Sequence, residues 1–103
     1  MKNNIIKKLT NHKYSKCKIE IYKMEKYIRF ISYETEVVNV VYNEDKNEIY
    51  LRLLGHYSKT TSKQVTWFLN EYFSYYKFDI KKFKKCELII IKDENKTFLK
   101  NFE

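Results

Sequence analysis

The run from Thr60 to Tyr76 has the spacing of an amphipathic helix, and it constrains the fold more than any other part of the chain. Its apolar residues recur at i, i+3, i+4, i+7, i+8 and i+11 and are Val65, Phe68, Leu69, Tyr72, Phe73 and Tyr76. This spacing places them on one face of a helix. Thr61 and Gln64 have the spacing of a capping box, in which each side chain satisfies a backbone N–H of the other residue. We therefore predict one amphipathic helix whose apolar face the rest of the chain must cover.

Trp67, the one tryptophan of the chain, breaks this pattern. At about 100° per residue it points away from the apolar face, to the same side as Gln64, Asn70 and Glu71. A tryptophan on a polar face either is covered by another part of the chain or contacts a partner, because exposed tryptophan and tyrosine are common anchors at interfaces. We take Trp67, Glu71 and Tyr75 as candidate partner-binding residues, for a foreign protein or for a second copy in a homodimer.

Five other segments have the composition of β-strands, with alternating apolar residues or many β-branched ones. They span residues 17–22, 27–33, 37–42, 48–54 and 88–91. The last segment is apolar on both faces, which predicts a central strand paired on both sides. The order β-β-β-β-α-β predicts an α+β fold in which an antiparallel sheet of about five strands packs one face on the helix.

The length of 103 residues fits a single domain that spans residues 1–103. Residues 1–16 are polar and basic, with a few aliphatic residues at helical spacing. They form either a short helix or a mobile basic arm. Residues 77–85 form a loop or a short turn of helix before the last strand.

The sheet face that the helix leaves open should carry Tyr22, Tyr50 and Arg52, because side chains alternate between the two faces of a strand. Tyrosines beside basic side chains can stack on the bases of a single-stranded nucleic acid. The same face suits a protein partner equally well. We therefore add Tyr50 and Arg52 to the candidate partner-binding residues.

The net charge is +8, and the excess of basic residues lies at the two ends of the chain. Residues 1–33 have a net charge of +7, residues 34–76 of −2 and residues 77–103 of +3. Such asymmetry is typical of contact with nucleic acid or another acidic surface. The candidate nucleic-acid-binding residues are Lys59, Lys63, Lys77, Lys81, Lys82, Lys84 and Lys85. Two of them, Lys59 and Lys63, flank the helix start, where backbone N–H groups either hold a phosphate or are capped by the hydroxyls of Ser58, Thr60, Thr61 and Ser62. A solvated, lysine-rich surface encoded by an AT-rich genome is the alternative.

The sequence lacks the residue spacing of an active site, a metal centre or a cofactor site. His12 and His56 lie in no nucleophile motif. Together with Cys17 and Cys86 they lack the paired spacing of zinc ligands. The two cysteines are instead predicted to be buried, reduced thiols. We therefore expect no enzyme activity, no metal and no cofactor.

The hydropathy of the chain predicts no contact with a membrane. No apolar run approaches the ~18–20 residues that a membrane span needs, and the N-terminal residues lack an apolar stretch of signal-peptide length. We therefore expect a cytosolic protein.

Two stretches of the chain carry a family pattern. They are Ser32-Tyr33-Glu34-Thr35-Glu36-Val37-Val38 and Tyr57-Ser58-Lys59-Thr60-Thr61-Ser62-Lys63. This pattern resembles a family of small, uncharacterised bacteriophage proteins, which have a Ser-Tyr-x-Thr-x-Val strand and a Tyr-Ser-x-Thr-Thr-Ser-Lys-His helix start. The resemblance covers about residues 30–72, and Gln64 stands where the family usually has His. The family has no established activity, so the resemblance implies an origin in a phage or prophage and no mechanism.

These observations lead to two hypotheses of function. The first is a small phage-encoded, non-enzymatic protein that binds and inhibits a host or defence complex, for example an anti-CRISPR that acts on a ribonucleoprotein. Its place would be the cytoplasm of the infected bacterial host. The second is a stand-alone basic module that binds nucleic acid through its lysines, with an affinity that falls steeply as salt is added.

Overall fold

The computed structural model describes residues 4–8, 16–54, 58–76, 80–83 and 87–103 of the chain. These residues form six strands, which are β1 (Asn4–Lys8), β2 (Cys17–Tyr22), β3 (Tyr27–Ser32), β4 (Thr35–Asn43), β5 (Glu48–Leu53) and β6 (Leu88–Lys92). The helical segments are α1 (Lys59–Phe73), α2 (Ile80–Phe83) and a 3-10 helix (Thr97–Phe102).

The strands form one antiparallel sheet in the order β1-β2-β3-β4-β5-β6, so each strand pairs with its neighbour in the sequence. Both α-helices lie between β5 and β6 along the chain. The predicted α+β class, with an antiparallel sheet and one main helix, is confirmed. The four strands, the helix and the last strand of the predicted order correspond to β2 to β5, α1 and β6.

The strand β1 was not predicted and corrects the interpretation of residues 1–16 as a helix or a mobile arm. Its whole length pairs with β2, from Asn4 opposite Tyr22 to Lys8 opposite Lys18. Strand pairing uses backbone groups, so a polar edge strand forms with little of the apolar alternation that predicts strands. Residues 1–3 and 9–15 lie outside the described part of the chain.

The core lies between one face of the sheet and a layer made of α1 and the 3-10 helix. The predicted apolar face of the helix is confirmed. Its buried members are Val65, Phe68, Leu69 and Phe73, and its partly buried members are Tyr72 and Tyr76. Phe68 stacks on Phe30 of β3, with 4.7 Å between the ring centroids. From the 3-10 helix, Phe98 stacks on Phe73 with 5.1 Å between the ring centroids. Burial of each such ring stabilises the fold by about 2–3 kcal/mol.

The start of α1 differs from the predicted capping box. Ser58 is the N-cap, and its Oγ accepts the backbone N–H of Thr61 at 3.1 Å. Thr61 and Gln64 lie inside the helix and are buried. There, the Oγ of Ser32 donates to Gln64 Oε1 and lies 3.1 Å from Thr61 Oγ1. The capping-box prediction is wrong because both residues extend the buried helix face by one turn and bond to the sheet.

The strand β6 lies at an edge of the sheet, which corrects the prediction of a central strand. Among the described strands it pairs with β5 alone. Its four aliphatic residues are all at least partly accessible: Leu88 and Ile90 are exposed, and Ile89 and Ile91 are partly buried. The run is apolar on both faces, yet one side of its backbone has no described strand beside it.

Asp93, directly after β6, joins three parts of the fold. The residue is buried, with 2 % of its surface exposed. It accepts the hydroxyls of Tyr42 and Tyr76 at 2.9 Å each, and the backbone N–H of Phe98, also at 2.9 Å. Burial and the bond to Asp93 raise the pKa of Tyr42 to about 12. One carboxylate therefore holds together β4, the end of α1 and the 3-10 helix.

Candidate binding surface on the open sheet face

The face of the sheet opposite α1, here called the open face, carries a row of apolar side chains across five strands. The row, here called the tyrosine row, consists of register partners on β2 to β6: Tyr22, Tyr27, Val41, Tyr50 and Ile90. Each member is at least partly accessible. Five strands at ~4.8 Å spacing make a band about 19 Å long. The row forms because every second residue of each strand faces outward and the register places these outward-facing residues opposite one another.

The tyrosines of this row are held in place by glutamates of the same face. The rings of Tyr22 and Tyr27 lie 5.5 Å apart, centroid to centroid. The Tyr22 hydroxyl donates to Glu20 at 2.8 Å, and the Tyr27 hydroxyl donates to Glu36 at 3.0 Å. Farther along the row, Tyr50 is held in the same way, as its hydroxyl donates to Glu48 at 3.1 Å. The three rings are therefore oriented before any partner arrives.

Arg29 is the centre of a charged network beside the tyrosine row. Its Nε donates to Glu36, and its Nη1 donates to Glu20 at 2.8 Å. Glu36 also accepts from Asn39 at 3.1 Å and from Tyr27. Partial burial acts to raise the pKa of Glu36, but the bonds from Asn39, Arg29 and Tyr27 hold it below its usual value. Burial and the bond to Glu36 raise the pKa of Tyr27 to about 12.

The positive charges of the open face are mostly neutralised within it. Arg29 lies between two carboxylates, Lys18 lies 3.7 Å from Glu20, and Lys92 lies 3.6 Å from Glu48. The exception is Arg52, which is exposed and forms no ion pair with a described residue. Arg52 lies between Asn39 and Leu88 in the register, next to the tyrosine row. Among the side chains that the structure describes, Arg52 is therefore a cation of this face that can bind an acidic group of a partner.

A hollow of about 500 Å³ lies at the β2–β3 end of the open face. Its lining residues are Tyr22, Glu25, Tyr27, Arg29 and Glu36. The Arg29 guanidinium in its wall is bonded to Glu36 through Nε and to Glu20 through Nη1, and the rings of Tyr22 and Tyr27 line the hollow beside it. These groups can contact a side chain or a loop of another molecule through hydrogen bonds and ring faces.

The structure separates the five predicted partner-binding residues into two groups. Tyr50 and Arg52 lie on the open face, as the alternation predicts. Trp67, Glu71 and Tyr75 belong to the helix layer on the other side of the sheet. Trp67 is partly buried and packs against the core, which favours the alternative that the chain itself covers it. Glu71 is exposed, and Tyr75 is 87 % exposed, so these two remain accessible.

The predicted nucleic-acid-binding lysines lie away from the open face where the structure describes them. Lys59 and Lys63 are exposed in the first turns of α1, and Lys81 and Lys82 are exposed on α2. Three others lie outside the described residues, together with both histidines and one cysteine: Lys77, Lys84, Lys85, His12, His56 and Cys86. At the helix start, Ser58 accepts the N–H of Thr61, so the structure explains the serine there by capping, and phosphate contact stays a prediction.

Several residues of the surface were not predicted individually. Tyr27, Val41 and Ile90 follow the same alternation as Tyr50, but only the register shows that they form one row. The Arg29 network was also missed, because its partners are separated by seven to nine residues in the sequence. A signal for it was the opposite charge of Glu20 and Arg29 on adjacent predicted strands.

The described residues contain no group of three or more His, Cys, Asp or Glu side chains arranged to hold a metal. Cys17 is buried, and burial raises the pKa of its thiol to about 11. None of the helices described is long and apolar enough to cross a membrane. No protein-family model, curated protein or solved structure matches the chain significantly, so the resemblance to small phage proteins stays a prediction.

Proposed function

We propose that the protein is a non-enzymatic interaction module that binds another protein through the open face of its sheet. The tyrosine row supports this proposal most directly, because it is an apolar band bordered by polar and charged side chains. Protein interfaces have this composition, with tyrosines enriched at the centre and polar residues at the rim. The hydroxyl bonds to glutamates also favour binding, because rings that are already ordered lose little conformational entropy.

The partner should present apolar side chains to the tyrosine row and a carboxylate to Arg52. Most other charges of the open face are paired, so they would add little attraction and would form the polar rim. Among the described side chains of this face, Arg52 is a charged residue whose loss of hydration a partner can compensate with a new hydrogen bond. An acidic residue beside an apolar patch is therefore the partner chemistry that fits this face.

We infer further, from the resemblance to small phage proteins, that the partner belongs to a host or defence complex and that binding inhibits it. An anti-CRISPR that acts on a ribonucleoprotein in the cytoplasm of the infected bacterium is one concrete form. A rigid surface that binds without chemistry suits inhibition, because occupation of a site is sufficient to block it.

Binding of nucleic acid is the second candidate, and the exposed lysines of the helix layer favour it. Lys59, Lys63, Lys81 and Lys82 could contact phosphates. The open face is less suited to this role, because its tyrosine hydroxyls already donate to carboxylates that would repel phosphates. The two candidates therefore use opposite sides of the molecule, which makes them separable by mutation.

A double variant of the open face tests the proposal against a matched double variant of the helix layer. Tyr50→Ala/Arg52→Glu removes one ring and reverses one cation on the open face, and Tyr75→Ala/Lys63→Glu makes the same two changes on the helix side of the sheet. Each tagged protein is used to capture partners from lysate of a bacterial host with and without nuclease, and the captured protein is then purified and titrated against each variant. We expect the open-face variant to bind at least about tenfold more weakly, as loss of an interface anchor costs 1–2 kcal/mol or more.

The control variant should bind that protein as the unchanged chain does. Equal binding by the open-face variant would overturn the proposal. Capture of nucleic acid alone, lost with nuclease, with added salt and in the Tyr75→Ala/Lys63→Glu variant, would instead establish the second candidate.

A further inference from the structure

The edge strand β6 has the composition of a strand that is covered on both sides. Its sequence is Leu-Ile-Ile-Ile-Lys, and no member is buried. Leu88 is 39 % exposed and Ile90 is 53 % exposed on the open face. On the core face Ile89 and Ile91 are only partly buried, although their neighbours on β5, Leu51 and Ile49, are fully buried. The apolar surface of β6 therefore exceeds what the described part of the chain covers.

Within its own five residues, β6 also has few of the features that normally prevent an edge strand from pairing with other molecules. Proteins protect sheet edges with prolines, bulges, short strands or lysines. β6 has no proline, its register with β5 runs without a bulge, and its one charge, Lys92, lies at its end beside Glu48. The opposite edge strand, β1, has two lysines among its five residues. Of the two described edges, β6 is the one open to a further strand.

We propose that two copies of the chain pair through β6, antiparallel, about a twofold axis that passes beside Ile90. A twofold axis between antiparallel strands is perpendicular to the sheet, so residues that face each other must point to the same side. Opposite residues must therefore be an even number of positions apart in the sequence, and so one residue lies on the axis, opposite the same residue of the other copy. The axis at Ile90 is the one that pairs all five residues of β6, with Ile89 opposite Ile91 of the other copy and Leu88 opposite Lys92 of the other copy.

This register is complementary in shape and charge to itself. Aliphatic residues meet aliphatic residues on both faces, and cross-strand pairs of this kind stabilise a sheet. Lys92 of one copy faces Leu88 of the other, so the like charges stay apart. The tyrosine row would continue from Ile90 into the row of the second copy, and the two sheets would become one of twelve strands. A foreign strand could pair with the same edge, but the symmetry of this aliphatic run favours a second copy.

The dimer should strengthen as salt is added, because two chains of net charge +8 repel each other and salt screens that repulsion. This dependence is opposite to that of nucleic-acid binding, which weakens with salt. The inference can fail separately from the open-face proposal, because it is tested by the mass of the chain alone, whereas the open-face proposal is tested by binding of another protein to the Tyr50 and Arg52 variants.

Analytical ultracentrifugation of the full chain over a range of concentrations tests the pairing. We expect the mass to rise from 12.8 kDa toward twice that value for the unchanged chain. Ile90→Lys should abolish this rise, because it places two lysines opposite each other on the axis. Tyr75→Lys, the same charge change at an exposed site of the helix layer, should leave the rise unchanged. Ile90 is exposed in the single chain, so circular dichroism of Ile90→Lys should match that of the unchanged chain.

A cysteine at the axis gives a second readout. Ile90→Cys should form a disulfide-linked dimer under oxidation, because residues directly opposite each other in a sheet lie within disulfide distance. Val41→Cys lies in the same row but two strands inside the sheet, so it should not cross-link. The proposal is overturned if the chain stays monomeric up to about 1 mM. A dissociation constant above that concentration corresponds to a free energy of association weaker than about 4 kcal/mol. A dimer that Ile90→Lys leaves intact, or that Ile90→Cys fails to cross-link, overturns it as well.

Discussion

At the scale of single residues, Asp93 shows how one buried carboxylate can determine where several elements end. An ionised group loses hydration when it is buried, so it must be compensated by hydrogen bonds. Asp93 has three donors, two from tyrosine hydroxyls and one from the backbone N–H of Phe98. Tyr42 lies on β4, Tyr76 lies three residues after the end of α1, and Phe98 lies in the 3-10 helix. The position of the 3-10 helix against the core therefore depends on this one side chain.

Asp93→Ala should lower the free energy of unfolding by about 3 kcal/mol or more, because it leaves two hydroxyls and a backbone N–H without their charged acceptor. Urea unfolding followed by circular dichroism measures the change. Glu94→Ala is the matched control, since Glu94 is the adjacent, exposed carboxylate, and its loss should cost less than about 0.5 kcal/mol. An equal effect of the two substitutions would show that Asp93 does not hold these elements together.

At the scale of elements, the connection between β3 and β4 is a two-residue turn in an unfavourable conformation. Tyr33 and Glu34 both have positive φ, 49° and 72°. Positive φ at both central positions is required for the type I′ turn, which matches the twist of a hairpin and favours Asn-Gly. In a residue other than glycine, this conformation is destabilised because Cβ comes close to the following carbonyl oxygen. The turn is retained because the extensive pairing of β3 with β4 offsets this strain.

Tyr33→Asn/Glu34→Gly should therefore raise the free energy of unfolding by about 1 kcal/mol, because the new residues adopt positive φ with less strain. Thermal unfolding measures the gain. Glu25→Gly in the β2–β3 turn is the control: Glu25 does not have positive φ, so glycine there adds only freedom to the unfolded chain and should lower stability. A loss of stability in the Tyr33/Glu34 variant would mean that contacts of these side chains outweigh the backbone strain.

The elements also show how far sequence reasoning reaches. Alternation within a strand is a local signal, so β2 to β5 and the outward direction of Tyr50 and Arg52 were predicted. The register that aligns Tyr22 with Tyr27, Val41, Tyr50 and Ile90 is set by pairing between distant residues, and local pattern does not contain it. The edge position of β6 was mispredicted for a related reason. An apolar run indicates that both faces of a strand are suited to burial, but it does not show whether the strand has a neighbour on each side in the sheet. The strand β1 has two adjacent isoleucines and no alternation, so its pattern did not indicate a strand.

At the scale of the whole molecule, the fold contains several ionisable groups that must stay protonated. Burial raises the pKa of Cys17 from 9.0 to about 11. Burial and bonds to carboxylates raise the pKa of Tyr27 and of Tyr42 from 10.0 to about 12. A raised pKa means that the folded state holds the proton more tightly than the unfolded state does. The stability linked to these groups is therefore present below pH 9 and is lost as the pH rises toward 12.

We expect the free energy of unfolding to fall steadily between pH 9 and pH 12 in urea titrations at fixed ionic strength. A Tyr27→Phe/Tyr42→Phe variant should start from a lower stability at pH 8, because it lacks two bonds to carboxylates, and should lose less as the pH rises, because it has fewer groups to ionise. Tyr75→Phe, at an exposed site, should follow the unchanged chain. A double variant that falls as steeply as the unchanged chain would show that these tyrosines are not the source of the pH dependence.

The order of the strands in the sheet, which equals their order in the chain, has a consequence for how the molecule folds. Pairing between neighbours in sequence requires only short loops to close, so the entropy lost before each contact forms is small. From β2 to β5 the chain can assemble one hairpin at a time. β6 is different, because α1 and α2 separate it from β5. Among the described strands, the one that we expect to join two molecules is thus also the one whose pairing closes the longest loop, so we expect β6 to pair late in folding.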